Sequence, residues 1–173
     1  SNTASALFDL NGFTLEAYGT TFTNSGTMDA SAGSSTLAFF GNTAQALTNG
    51  TLTGGYISNL SVKNPGGFTL NNSTQIGSSS ADGVLNLLNG TTTLASGITL
   101  SLYGTVSGPG TILSASGNAS LSLNGSAGNM GTLNLYGGAQ SFNSFTMNVG
   151  GTNPRISLNG DLTISTGLTL TSG

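Results

Sequence analysis

Residues 85–102 read Leu85-Asn-Leu-Leu-Asn-Gly90-Thr-Thr-Thr-Leu94-Ala-Ser-Gly-Ile98-Thr-Leu100-Ser-Leu102. Leu85 to Leu87 and Ile98 to Leu102 alternate apolar with small polar residues. Alternate side chains of a strand share a face, so each unit sends two or three apolar groups inward and Thr, Ser or Asn outward. The same short unit recurs along the chain, as Phe8-Asp9-Leu10, Phe13-Thr14-Leu15, Phe68-Thr69-Leu70, Leu121-Ser122-Leu123, Leu133-Asn134-Leu135, Ile156-Ser157-Leu158, Leu162-Thr163-Ile164 and Leu168-Thr169-Leu170. Thr suits the outward positions because its β-branch fits the pleat. A helical reading fails: there are 28 Gly, and each costs about 1 kcal/mol inside a helix. The one Ala-rich patch, Thr43 to Leu47, is too short to nucleate a helix.

Turn residues separate the units. Asn-Gly occurs at Asn11-Gly12, Asn49-Gly50, Asn89-Gly90, Asn124-Gly125 and Asn159-Gly160, at spacings of 38, 40, 35 and 35 residues. Both residue types tolerate the positive φ of a sharp corner. Asn-Gly is also a strong hairpin signal, which would give an antiparallel sandwich. Internal likeness argues against hairpins. Segments of 40–90 resemble segments of 136–173 in the same order: Asn59 to Gly67 matches Ser144 to Gly151, Phe68 to Asn71 matches Ile156 to Asn159, and Leu85 to Gly90 matches Leu168 to Gly173. The offset drifts, as it does when coils stack and loops bulge to one side. The expectation is an all-β fold, one right-handed parallel β-helix (β-solenoid) over residues 1–173. Two coils per Asn-Gly spacing gives about nine coils of roughly 18–20 residues.

Charge is nearly absent. Lys63 and Arg155 face Asp9, Glu16, Asp29, Asp82 and Asp161, a net charge of −3. Charged residues make up 4% of the chain, against about 25% in ordinary soluble domains. Gly, Ser, Thr and Asn supply 98 of the 173 residues, so the polar surface is hydroxyl and amide. Stacking explains part of this. A charge at a repeating position would meet its copy about 4.8 Å away and be repelled. Nucleic acid is excluded as a partner, since binding it relies on Lys and Arg at phosphates. No apolar run approaches the roughly 20 residues of a membrane-spanning helix. The alternating stretches are shorter than the roughly 9–11 residues of membrane barrel strands. No membrane insertion is expected. The composition matches surface proteins better than metabolic ones; the opening Ser-Asn-Thr-Ala does not read as a basic, apolar leader, and any signal peptide is expected to lie outside these residues.

With no His and no Cys, neutral-pH base chemistry falls to carboxylates. Asp9 and Asp29 lie 20 residues apart, about one coil, so they can form a stacked pair for glycoside hydrolysis or a Ca²⁺ ion. Solvated turn residues are the favoured reading. Gly54-Gly55, Gly66-Gly67, Gly137-Gly138 and Gly150-Gly151 lack the following Asp pattern of calcium-binding repeats. Tyr18, Tyr103 and Tyr136 each precede Gly at the end of a unit, where a row of rings would stack on sugars; packing at the core edge is the favoured reading. Thr pairs 21/23, 51/53, 91/93 and 169/171 do not recur at one coil period, which leaves them ragged for binding ice. Asn-x-Ser/Thr occurs at Asn49, Asn59, Asn71, Asn72, Asn89, Asn118 and Asn124, a number that this composition produces by chance. The expectation is no catalytic residues, no metal and no cofactor.

Leu158-Asn-Gly-Asp-Leu-Thr-Ile-Ser-Thr-Gly-Leu-Thr-Leu-Thr-Ser-Gly173, and Phe40-Gly-Asn-Thr-Ala-Gln45 followed by Asn59-Leu-Ser-Val-Lys-Asn64, resemble the repetitive regions of large secreted surface proteins of Bacteroidetes and of autotransporter-like adhesins. The resemblance covers most of the chain. It implies export, a right-handed β-helix, and a role as stalk, adhesin or fibre, with no catalytic residues to carry over. A C-terminal sorting or barrel domain, usual in such proteins, is missing from the pattern. Neither end has a charged or Pro-rich cap over its strand edges. The expectation is therefore a fragment or stacking subunit, partnered by copies of itself or further repeats end to end, with surface glycans as further partners. The function expected is structural or adhesive, extracellular or at the cell surface, without catalysis. The alternative is a polysaccharide-active β-helix enzyme or a glycan-binding module.

Overall fold

The computed structural model describes residues 6–171. The strands follow one another around a triangular coil. The first coil is β1 (Leu7–Asp9), β2 (Thr14–Ala17) and β3 (Thr21–Thr23). The second is β4 (Thr27–Ala30), β5 (Thr36–Phe40) and β6 (Gln45–Thr48). The third is β7 (Thr51–Ile57), β8 (Asn59–Lys63) and β9 (Phe68–Leu70), and the fourth β10 (Thr74–Ile76), β11 (Gly83–Asn89) and β12 (Thr91–Leu94). Above these, strands run through corners. β13 (Thr99–Ser107) covers two faces before β14 (Thr111–Ser114), and β15 (Ser120–Gly125) leads into β16 (Asn129–Val149) and β17 (Arg155–Thr171), each of which wraps three faces. We call the faces that begin with β1, β2 and β3 the first, second and third.

Every pairing between these strands is parallel, each strand bonding to its counterpart one coil away. Among the described residues the single antiparallel contact is the isolated bridge Ser78 to Ala81 inside a loop. The fold is a β-solenoid, as the alternation implies, and the hairpin reading is out. The coil is larger than the sequence spacing suggests. Register partners are 19 residues apart at the least, from Ile57 to Ile76, and 27 at the most, from Ala30 to Ile57. The chain therefore makes about seven turns, not nine. The reason is that each coil needs three strands and three corners. The Asn-Gly pairs do not mark a fixed number of coils because they sit at different corners: Asn11-Gly12 between β1 and β2, Asn49-Gly50 between β6 and β7, Asn89-Gly90 between β11 and β12. Four of the five are corners all the same, with positive φ at Gly12, Gly90 and Gly125, whereas Asn159-Gly160 lies within β17 on the third face, opposite a bulge of β16. At about 4.8 Å per coil the rod is roughly 35 Å long.

The alternation builds ladders of like residues. Leu37, Leu60, Leu85 and Val106 stack on the second face. Ile76, Leu102, Leu123, Met147 and Leu170 stack on the first. Leu47, Leu70 and Leu94 stack on the third. Phe39 lies 4.4 Å from Phe68 and 6.0 Å from Phe22, ring centre to ring centre, so the aromatics run down the middle. Full burial of each Leu or Phe contributes about 1.5–3 kcal/mol, and this column is the main favourable term. Burial also reaches amides. Gln45 and Asn64 are enclosed where the second face meets the third. Asn64 Nδ2 donates to Gln45 Oε1 (2.7 Å) and Thr43 O (2.8 Å), and Gln45 Nε2 donates to Ala17 O (2.9 Å) and Gly19 O (2.7 Å). Three coils are tied together there, and the buried donors are satisfied, which is what makes buried amides tolerable.

Candidate functional site

The acidic pair foreseen from its spacing does stack. Asp9 and Asp29 are register partners on β1 and β4. Their hydrogen bonds are local. Asp9 Oδ1 accepts from Asn11 N (2.8 Å), and Asp29 Oδ1 accepts from Ser31 N (3.0 Å) and Ser31 Oγ (2.6 Å). Both are Asx turns that open a corner. The bonds from Ser31 hold the Asp29 carboxyl below its ordinary value of 3.8. The other acids stand elsewhere: Glu16 on β2, Asp161 on β17 and Asp82 just before β11. Among the described residues, no three of His, Cys, Asp or Glu gather as a metal site, and no helix is long and apolar enough to cross a membrane.

The tyrosines do not form a row. Tyr18, just beyond β2, stacks on Phe40 at 5.6 Å and donates to Glu16 Oε2 at 2.9 Å, which raises its pKa. Tyr103 ends the first-face part of β13. Tyr136 projects from β16 on the third face, where Asn134 and Ala139 pair with Asn159 and Asp161, so 135–138 bulge against Gly160 alone. Hydroxyl rows exist but are broken. Thr69 and Thr93 pair on the third face, yet Ala46 and Leu113 interrupt their row. Of the Asn-x-Ser/Thr sites, Asn71, Asn72, Asn89 and Asn118 are exposed, while Asn49, Asn59 and Asn124 are half-buried with their Nδ2 groups already donating.

Several concavities mark the surface, among them one of about 370 Å³ beside Ser114, Gln140 and Ser141. A shallow groove of about 340 Å³ runs along the third face, lined by Pro65, Thr69, Thr91, Thr93, Leu113 and Tyr136 among others. A second cleft of about 360 Å³ lies where the first face turns into the second, lined by Ser79, Tyr103, Asn124, Gly125, Ser126 and Asn148. Of the groove and this cleft, the cleft is the one whose lining includes amide side chains, those of Asn124 and Asn148. Tyr103, Asn124 and Asn148 are successive register partners on β13, β15 and β16. The loop at 77–82 faces them, closed by Ser78 N to Ala81 O at 2.8 Å and Ala81 N to Ser78 O at 3.2 Å. Asp82 Oδ2 accepts from Ser126 Oγ at 3.4 Å, 44 residues away in the chain. Spacings of 21 and 24 residues, each one true coil, are the sequence signal that unites Tyr103, Asn124 and Asn148. An 18–20-residue coil conceals it.

No family model matches the chain, and neither a curated protein nor a solved structure matches it.

Proposed function

We propose that this chain is structural or adhesive material of an extracellular or cell-surface protein, a stalk or filament-forming segment of the kind found in repetitive secreted proteins of Bacteroidetes or in autotransporter-like adhesins. The observation that carries the reading is the character of the outer surface. Its polar groups bond lengthwise from coil to coil: Asn159 Nδ2 to Asn134 Oδ1 (3.0 Å), Ser144 Oγ to Ser120 Oγ (2.9 Å), Asn71 Nδ2 to Thr48 Oγ1 (3.0 Å), and Thr91 with Thr111 (3.0 Å). A side-chain ladder laid over a backbone ladder stiffens a rod and leaves its surface hydrated but electrically quiet. Those are properties of a spacer or fibre. Among the described residues β1, β2, β3 and β17 each pair on one side only, an arrangement that suits stacking on further coils, and a head-to-tail contact that does not close makes a filament.

The test is immunogold electron microscopy of the source cells with antibody to this chain, paired with sedimentation of the purified chain over a hundredfold concentration range. Label on the cell surface is the expected result, with concentration-dependent assembly for a filament subunit and monomeric rods for a stalk. Label confined to the cell interior would overturn the proposal.

A further inference from the structure

We propose that the cleft between the first and second faces binds a neutral sugar, through the amides of Asn124 and Asn148 and the carboxylate of Asp82. This deepens the glycan-binding alternative and does not rest on the structural role above: a spacer need not bind sugar, and a sugar site need not be on a spacer.

The argument begins with unused hydrogen-bonding capacity. Asn124 Nδ2 donates to Ser122 Oγ at 2.9 Å, and no donor reaches its Oδ1. Asn148 is the mirror case. Its Oδ1 accepts from Thr171 Oγ1 at 3.1 Å, and among the described residues its Nδ2 has no acceptor. Neither free group is buried, because the buried polar atoms left without partners are Asn49 Oδ1 and Thr92 Oγ1. Register places the two residues one coil apart on the same row, about 4.8 Å between backbones. The row therefore offers an acceptor beside a donor. Asp82 stands behind this lining, and its carboxylate reaches the cleft through the lining residue Ser126, whose hydroxyl donates to it over a long 3.4 Å. Tyr103 stands at the base of the row with no bond to its hydroxyl.

Adjacent hydroxyls of a pyranose each donate and accept, so they need this mixture of partners. A phosphate or sulfate needs donors and positive charge, and the lining contains neither Lys nor Arg. Acidic sugars are disfavoured by Asp82 for the same reason. Calcium asks for six to eight oxygens, and one carboxylate is a poor start. A volume of about 360 Å³ falls at the small end of ligand pockets, the size of one or two sugar rings. The floor is specialised too. Gly125 has φ +108°, and a Cβ there would lie 3.1 Å from Asp82 Oδ1. A side chain at 125 would crowd both that carboxylate and the backbone N of Gly104, also 3.1 Å from the Cβ.

The test is to probe the purified chain on a printed array of neutral and acidic mono- and oligosaccharides, then titrate the strongest neutral binder by calorimetry. We expect neutral sugars to bind and acidic ones not to. Asn148→Ala and Asp82→Asn should each weaken binding by about tenfold, the loss of one good hydrogen bond. Ser79→Trp, on an exposed loop position, should fill the cleft and abolish binding with the circular dichroism of the rod unchanged. Thr69→Ala, in the third-face groove, should bind as wild type. Absence of any neutral binder, a preference for acidic sugars, binding that EDTA abolishes, or affinity indifferent to Asn148→Ala and Ser79→Trp would each overturn the assignment.

Discussion

The middle coils and the last coil use the same residues for opposite outcomes. Leu60 and Leu70, in the third coil, are fully enclosed, whereas Leu168 and Leu170, at the top, remain 60% and 64% exposed. All four are inward positions of alternating strands with nearly the same local sequence. What differs is the neighbour. A middle coil is covered above and below, and the last coil is covered on one side. Burial here belongs to the interface between coils and not to the coil itself, the energetics expected of a one-dimensional stack. The contrast predicts where the rod breaks.

The largest effect falls in the middle. Phe39 is wholly buried against Phe68 and Phe22. Phe39→Ala removes a ring that three coils share and should cost about 3–5 kcal/mol. Leu170→Ala should cost no more than about 0.5 kcal/mol, although both are the second large apolar residue of an alternating unit, Leu37-Ala38-Phe39 and Leu168-Thr169-Leu170. Urea denaturation of both variants checks this. Equal losses would mean that the end coil is covered by something the isolated chain provides in solution.

Corners sharpen the same comparison. Gly90 and Gly97 share the left-handed conformation, with φ +80° and +78°. A Cβ on Gly97 meets nothing within 4 Å, while one on Gly90 runs into the backbone carbonyl of Asn64 in the coil beneath. Gly97→Ala therefore isolates the backbone cost, about 1–2 kcal/mol. Gly90→Ala adds the clash and should lose at least about 1 kcal/mol more, read as a lower melting midpoint. If the two variants melt together, the stack at that corner has room to shift.

The same logic explains what could be read in advance. Alternation in Phe68 to Leu70, Ile98 to Leu102 and Leu121 to Leu123 marks every inward residue correctly, because a strand has only two faces. The number of coils was not legible. Every face makes the same demand for alternating Leu and Thr, so nothing local says on which face a segment lies. Asn59 to Gly67 and Ser144 to Gly151 look alike, yet β8 is on the second face and Ser144 to Val149 is on the first. Thr91-Thr92-Thr93-Leu94 was ambiguous for another reason: three Thr in a row carry no alternation. Leu94 fixes the parity and forces Thr92 inward between Phe68 and Ile112, where its hydroxyl has no partner. The cleft was hidden because it joins Asp82 to Ser126 across two coils, and only a known coil length aligns such residues.

The smallest effect tests the first coil against the second. Asp9 and Asp29 put two carboxylates in register, the arrangement that a neutral surface otherwise avoids. Unscreened, like charges at this spacing cost about 1 kcal/mol in water. Against this, Ser31 donates twice to Asp29 and lowers its pKa from 3.8. A lowered folded value contributes stability above pH 3.8, and that contribution is lost as the pH falls through the folded value. The repulsion has the opposite sign, since protonation relieves it. The hydrogen bonds should win, because they are short and local while the repulsion is screened by water and salt. The denaturation midpoint of the wild type should hold between about pH 7 and pH 5 and fall below about pH 4. Asp29→Asn should keep the turn, through its amide oxygen, and lose part of that fall. A midpoint that rises on acidification in the wild type, and not in Asp29→Asn, would show that stacked charge governs this corner and that Ser31 does not hold the carboxylate.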